Sequence, residues 1–157
     1  MALYQTLYES TPKVAPKTLD SVKNPRVSNL DLNYDPDSKR MVFTARVSSN
    51  TTADNYDVIL EFSDVEPTQG LDEQEIMKGF KPKPSLSDND IKVFCSCTNY
   101  RFRFDQANRS NGAGTGPAFP NYVRKTNRAP NNPQGLPGVC SHIIELVEYL
   151  SENDFFS

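Results

Sequence analysis

Every cysteine and the only histidine of this 157-residue chain fall into two tight pairs. Cys95 and Cys97 stand one residue apart in "VFCSC", and Cys140 and His142 one residue apart in "GVCSH". Thiolate and imidazole are the donors zinc prefers, and three Cys with one His complete a tetrahedral structural site. On a strand, residues i and i+2 point to one face, so Cys95 and Cys97 present two sulfurs on the same side. Cys140 and His142 open an apolar helical pattern, where the positive end of the helix dipole favours the thiolate that metal binding requires. These residues predict one structural Zn2+ per chain, held by Cys95, Cys97, Cys140 and His142. Two other readings stand beside it. The thiols could be ordinary buried cysteines with an incidental histidine. A disulfide is disfavoured by the odd cysteine count and by the strain of a ring closed one residue apart.

Other chemistry is scarce. With four protein donors a zinc site is closed, whereas a catalytic one keeps a position open for water. No second histidine exists to serve as a base. "NGAGTGPAF" is glycine-rich but lacks the Lys-Ser/Thr and the preceding apolar strand of a phosphate loop. The carboxylates of "DVEPTQGLDEQE" lack calcium-loop spacing. The chain is expected not to be an enzyme.

Several elements must position the two pairs. In "MVFTARVS", Met41, Phe43, Ala45 and Val47 alternate with polar or smaller neighbours, and in "YDVILEFS" Tyr56, Val58, Leu60 and Phe62 do the same. Period-2 patterns joined by "SNTTADN" predict an antiparallel hairpin. "LDEQEIMKGF" predicts a short helix, stopped by "KPKP", and "IKVFCSC" a third strand. "TNYRFRF" reads equally as a strand or as a helix capped by Thr98 or Asn99 and running to about Asn108. Ser141 is the expected N-cap of a C-terminal helix with Ile143, Leu146, Val147 and Leu150 on its apolar stripe and Glu145, Glu148 and Glu152 opposite. The fold class expected is α+β: a small antiparallel sheet with a C-terminal helix, stapled by zinc. Prolines 12, 16, 25 and 36 suggest an extended arm over 1–40. The zinc-binding domain then spans 41–152, with a long loop insert at 98–138, and 153–157 form an acidic tail.

Composition bounds the partners. An apolar content of 36% with twelve prolines predicts a modest core with extended segments. No apolar run approaches a membrane span, and "MALYQTLYESTPK" lacks the features of an export signal, so a soluble, unexported chain is expected. The net charge of −3 excludes a uniformly basic nucleic-acid binder. Residues 99–138 nevertheless carry six basic side chains against Asp105 alone. Arg101, Arg103, Phe119, Tyr122, Arg124, Lys125 and Arg128 are the candidate partner-binding residues there, suited to a protein interface or to base stacking with phosphate contact.

C-x-C, a gap, then C-x-H opening an apolar helix resembles the SWIM-type zinc finger, over about residues 41–152. The 42-residue gap between Cys97 and Cys140 is longer than that family usually has. More narrowly, "CSCTNYRFRF", a Gly/Asn/Pro-rich insert and "GVCSHI" are similar to small SWIM-like structural proteins of tailed phages. The resemblance implies that Cys95, Cys97, Cys140 and His142 are zinc ligands. It also implies a virion component of head, neck or tail, assembled in the host cytoplasm and bound in an oligomeric assembly to other virion proteins. The broader family's alternative is a nucleic-acid-binding module.

Overall fold

The computed structural model describes residues 2–14, 26–48, 55–117, 132 and 134–157. Its centre is a four-stranded antiparallel sheet in the order β1-β2-β3-β4, formed by Arg26–Asp35 (β1), Arg40–Ser48 (β2), Asn55–Phe62 (β3) and Ile91–Cys95 (β4). The expected hairpin is β2–β3, whose register runs from Met41 opposite Phe62 to Ser48 opposite Asn55. Met41, Phe43, Ala45 and Val47 are buried, as are Val58, Leu60 and Phe62. One sheet face is therefore core, as the alternation requires. The carboxyl end of β4 brings Cys95 opposite Val58.

The C-terminal helix Ser141–Glu152 (α5) crosses that face over β2, β3 and β4. Ile143, Leu146, Val147 and Leu150 are buried beneath it. Its N-cap is Cys140, with extended backbone at φ −88 and ψ 171, and not the expected Ser141. Glu145, expected on the polar face, is only 7% exposed. The fold is α+β, as the sequence predicts.

The described parts of the expected arm, 2–14 and 26–40, are folded onto the domain. Tyr4–Ser10 form a helix (α1), continued by a 3-10 turn over Thr11–Lys13 with Pro12 in its first positions, where a missing N–H is harmless. Ala2, Tyr4 and Leu7 join the core, and Ile91 donates its N–H to the Ala2 carbonyl at 2.8 Å. In β1, Leu30, Leu32 and Tyr34 alternate with Asp31, Asn33 and Asp35, a period of 2 confined between Pro25 and Pro36. These prolines bracket the strand without interrupting it. A bulge lies between Ser28 and Asp31, where Asn29 takes φ 52.

The insert is also partly folded. "TNYRFRF" is helical: Thr98–Arg103 (α3, with α2 at Glu73–Met77 capped by the Asp72/Glu75 box) is followed by Asp105–Ser110 (α4). Beyond them Ala113–Thr115 run beside β4, with Val93 donating to the Ala113 carbonyl at 2.8 Å and Thr115 to Val93 at 3.2 Å. The tail is fastened as well. Phe155 and Phe156 meet Phe43 edge-on at centroid distances of 6.1 and 5.9 Å, and Lys83 pairs with Asp154 at 2.9 Å.

Candidate metal centre

Cys95, Cys97, Cys140 and His142 converge. Their donor atoms lie within 4.8 Å of one another, and all four residues are buried. His142 Nδ1 is 3.8 Å from Cys95 Sγ and 3.9 Å from Cys140 Sγ. Around a tetrahedral zinc, metal–ligand lengths of about 2.3 Å to sulfur and 2.0–2.1 Å to nitrogen set edges of about 3.8 Å for S···S and about 3.6 Å for S···N. The donors thus stand close to ligand spacing, and the cluster can hold a metal ion.

Each donor has a separate local cause. Cys95 is the last residue of β4, so its sulfur shares the core face with Val93 and Ile91. Cys97 lies past the strand's end and caps α3, with φ −72 and ψ 157 and its sulfur accepting from the Tyr100 N–H at 3.3 Å. Its extended backbone keeps it on the side of Cys95, as i, i+2 spacing predicts. Cys140 caps α5 without bonding the helix's own N–H groups, leaving its sulfur to the cluster. His142 follows within the first turn of the same helix.

The electrostatics favour a cation. Burial pushes the Cys95 and Cys140 thiols up. Hydrogen bonds from Cys140 and Cys95 hold Cys97 well below the usual thiol range. Without a cation, one sulfur can carry charge at the expense of its neighbours, because three anions cannot share a buried site. A divalent ion would allow all three to be thiolates. His142 presents Nδ1 to the sulfurs, while its buried Nε2 has no hydrogen-bond partner among the described residues. The ring rests against Tyr56 at a centroid distance of 4.5 Å.

An outer layer absent from the sequence reading holds the ligands. The Tyr100 hydroxyl donates to Val93 O at 2.8 Å, bracing α3 against β4. Asn108 donates to the Tyr100 hydroxyl at 3.2 Å and to the Gly138 carbonyl at 2.8 Å, and accepts from the Gly138 N–H at 2.9 Å. Thr11 Oγ1 accepts from the Val139 N–H at 2.9 Å. These bonds span up to 128 positions, and no local motif in the sequence announces them.

Of the candidate partner-binding residues, Phe119, Tyr122, Arg124, Lys125 and Arg128 lie outside the described residues. Arg101 and Arg103 lie on α3, half-buried, and the Arg101 guanidinium carbon sits 5.1 Å from the exposed Phe102 ring centroid. Arg109, part of the basic excess, is engaged internally. It pairs with Asp105 at 3.1 Å and donates to the carbonyls of Thr115, Gly116 and Pro117. No helix among the described residues is long and apolar enough to cross a membrane. Comparison with protein-family models, with curated proteins and with solved structures finds no match to this chain.

Proposed function

We propose that this chain is a non-enzymatic, zinc-stapled structural protein that works inside a larger assembly, bound to neighbouring subunits. The observation that carries the reading is the buried Cys3His cluster: four protein donors within 4.8 Å of one another, three of them thiols that cannot ionise together without a cation. Such a set selects zinc among the common divalent ions, and its closure leaves no ligand position for substrate. The ion would supply folding free energy and charge neutralisation, by tying β4, α3 and α5 together.

Partner binding draws support from the surface. Ile76, Met77 and Phe80 are exposed along one short segment, Met77 at 87% and Phe80 at 53%. An apolar group of this kind suits a protein interface. On the sequence resemblance, the assembly is the virion of a tailed phage. The alternative, nucleic-acid binding, rests on the Arg101–Phe102 pair of α3, a cation beside an exposed ring on which a base can stack.

Four experiments test this. Elemental analysis of protein purified without added metal should find about one zinc per chain, and cobalt substitution should give the intense bands of tetrahedral thiolate coordination. Metal-free protein of unchanged stability would overturn the zinc reading. Mass spectrometry of purified particles should find the chain as a stoichiometric component. A nucleic-acid titration would favour the alternative if affinity were strong at 0.15 M salt and fell steeply with added salt.

A further inference from the structure

The stretch that delivers Cys140 to the cluster belongs to no helix or sheet, yet its backbone is tied from two sides. The Val139 N–H donates to Thr11 Oγ1 at 2.9 Å, and Ser10 Oγ donates to the Pro137 carbonyl. From the other side Asn108 brackets Gly138, donating to its carbonyl at 2.8 Å and accepting from its N–H at 2.9 Å. Thr11 and Asn108 are fully buried, so neither has water to fall back on. The Thr11 hydroxyl spends its proton on the Leu7 carbonyl at 2.7 Å, which leaves its lone pairs aimed at Val139. One jaw of this clamp is the N-terminal helix, and the other is α4.

We infer that Ser10, Thr11 and Asn108 are positioning residues of the metal centre, and that docking of residues 2–14 and retention of the metal are thermodynamically linked. The inference rests on the metal-binding reading above. A ligand loop without a ladder of its own takes its position from whatever fastens it, and shifting Cys140 degrades the tetrahedron. Linkage is reciprocal: what the N-terminal helix contributes to metal affinity, the metal returns to the helix's docking. Loss of a hydrogen-bond partner of a metal ligand typically weakens metal binding roughly 10–100-fold, and these contacts, one or two residues before Cys140, should act toward the lower end of that range.

The test uses the full chain and zinc competition against a chromophoric chelator, under conditions where circular dichroism shows each variant folded. Thr11→Val keeps the shape and removes the acceptor, and should weaken zinc binding roughly tenfold or more and shift the cobalt absorption bands. Thr11→Ser restores the oxygen and should bind like the wild type. Asn89→Ala is the structural control. Asn89 is buried, bonds the carbonyls of Ser63 and Asp64, and accepts from Gln69 and Ser85, all away from the cluster. It should lower stability and leave zinc affinity unchanged. Equal effects of Thr11→Val and Asn89→Ala on zinc, or none from Thr11→Val, overturn the inference. Asn108→Asp, which keeps the acceptor and loses the donor to Gly138, gives the same readout from the other jaw should Thr11→Val fail to fold. A wild type that takes up no zinc would instead overturn the metal reading itself.

Discussion

Gly138 is tightly enclosed on the stretch leading to Cys140, and Gly138→Ala should destabilise the protein for lack of space. A β-carbon there would lie 2.4 Å from Phe104 Cε1, 2.7 Å from Phe104 Cδ1 and 2.9 Å from Thr11 Oγ1. Phe104 and Thr11 are both fully buried, so neither can swing into solvent. Gly138 is not among the glycines at positive φ, so the backbone itself would accept alanine. Overpacking a close-packed interior costs about 1–3 kcal/mol. Stretching one of the bonds to Asn108 or Thr11 adds about 0.5–1.5 kcal/mol. The reduced freedom of the unfolded chain offsets about 0.4–1 kcal/mol. The expected net loss is about 0.5–4 kcal/mol, or roughly 1–16 °C in Tm for a chain of this size. Urea unfolding of the zinc-loaded protein measures it. Phe104→Leu should partly rescue Gly138→Ala by opening room, with a coupling of about 0.5–3 kcal/mol in a double-mutant cycle. Gly135→Ala is the comparator: Gly135 takes φ +62 with nothing within 4 Å of the added carbon. Its cost is backbone strain of about 1–2 kcal/mol, which Phe104→Leu should not relieve. Wild-type stability for Gly138→Ala, or equal rescue of both variants, would refute the packing argument.

Cys97→Ser should abolish stoichiometric zinc while keeping the cap of α3, since a serine hydroxyl also accepts from the Tyr100 N–H; unchanged zinc content would count against its role as a ligand. Leu7→Ala should cost about 2–5 kcal/mol in chemical denaturation, because Leu7 is fully buried in the common core. An arm laid on solvent would lose almost nothing. Burial pushes the phenols of Tyr4 and Tyr100 far above their ordinary range. Their contribution to stability is therefore intact below the unfolded value near pH 10 and is lost as pH rises beyond it. Phenolate absorbance and ellipticity should change together in one alkaline transition, and Tyr4→Phe should move it to higher pH. Tyrosines that ionised non-cooperatively around pH 10 in a still-folded protein would contradict their burial.

What could be read from the chain follows the range of the forces involved. The β2–β3 hairpin and the apolar stripe of α5 are written in local periodicity, so Met41, Phe43, Val58, Leu60, Ile143 and Leu150 are recognisable as core. The four cluster residues are recognisable because no other residue of their types exists to confuse them. β1 carries the same kind of signal in "NLDLNYD", obscured by the prolines on either side. α1 is different: seven residues hold too little pattern for recognition, and its place is fixed by the contacts of Tyr4 and Leu7 with the core. The Thr11–Val139 and Asn108–Gly138 contacts are invisible for the same reason, since they exist only once distant segments have met. Glu145 shows the limit of helical period: it is buried although it lies off the apolar stripe of α5.

The short pairing of Ala113–Thr115 with β4 bears on edge-to-edge aggregation. β4 is an apolar strand, and an apolar strand with open main-chain groups is a template for intermolecular pairing. Here Val93 is occupied on that side by Ala113 and Thr115. At the sheet's far edge β1 is blunted by its bulge, by Asp31 and Asp35, and by Lys81, whose Nζ sits on the Leu32 carbonyl at 2.8 Å. Both borders of the sheet thus carry features that oppose self-propagation among the described residues. A deletion of the insert that reached into 113–115 would unseal the strand carrying Cys95, and should raise the protein's tendency to aggregate.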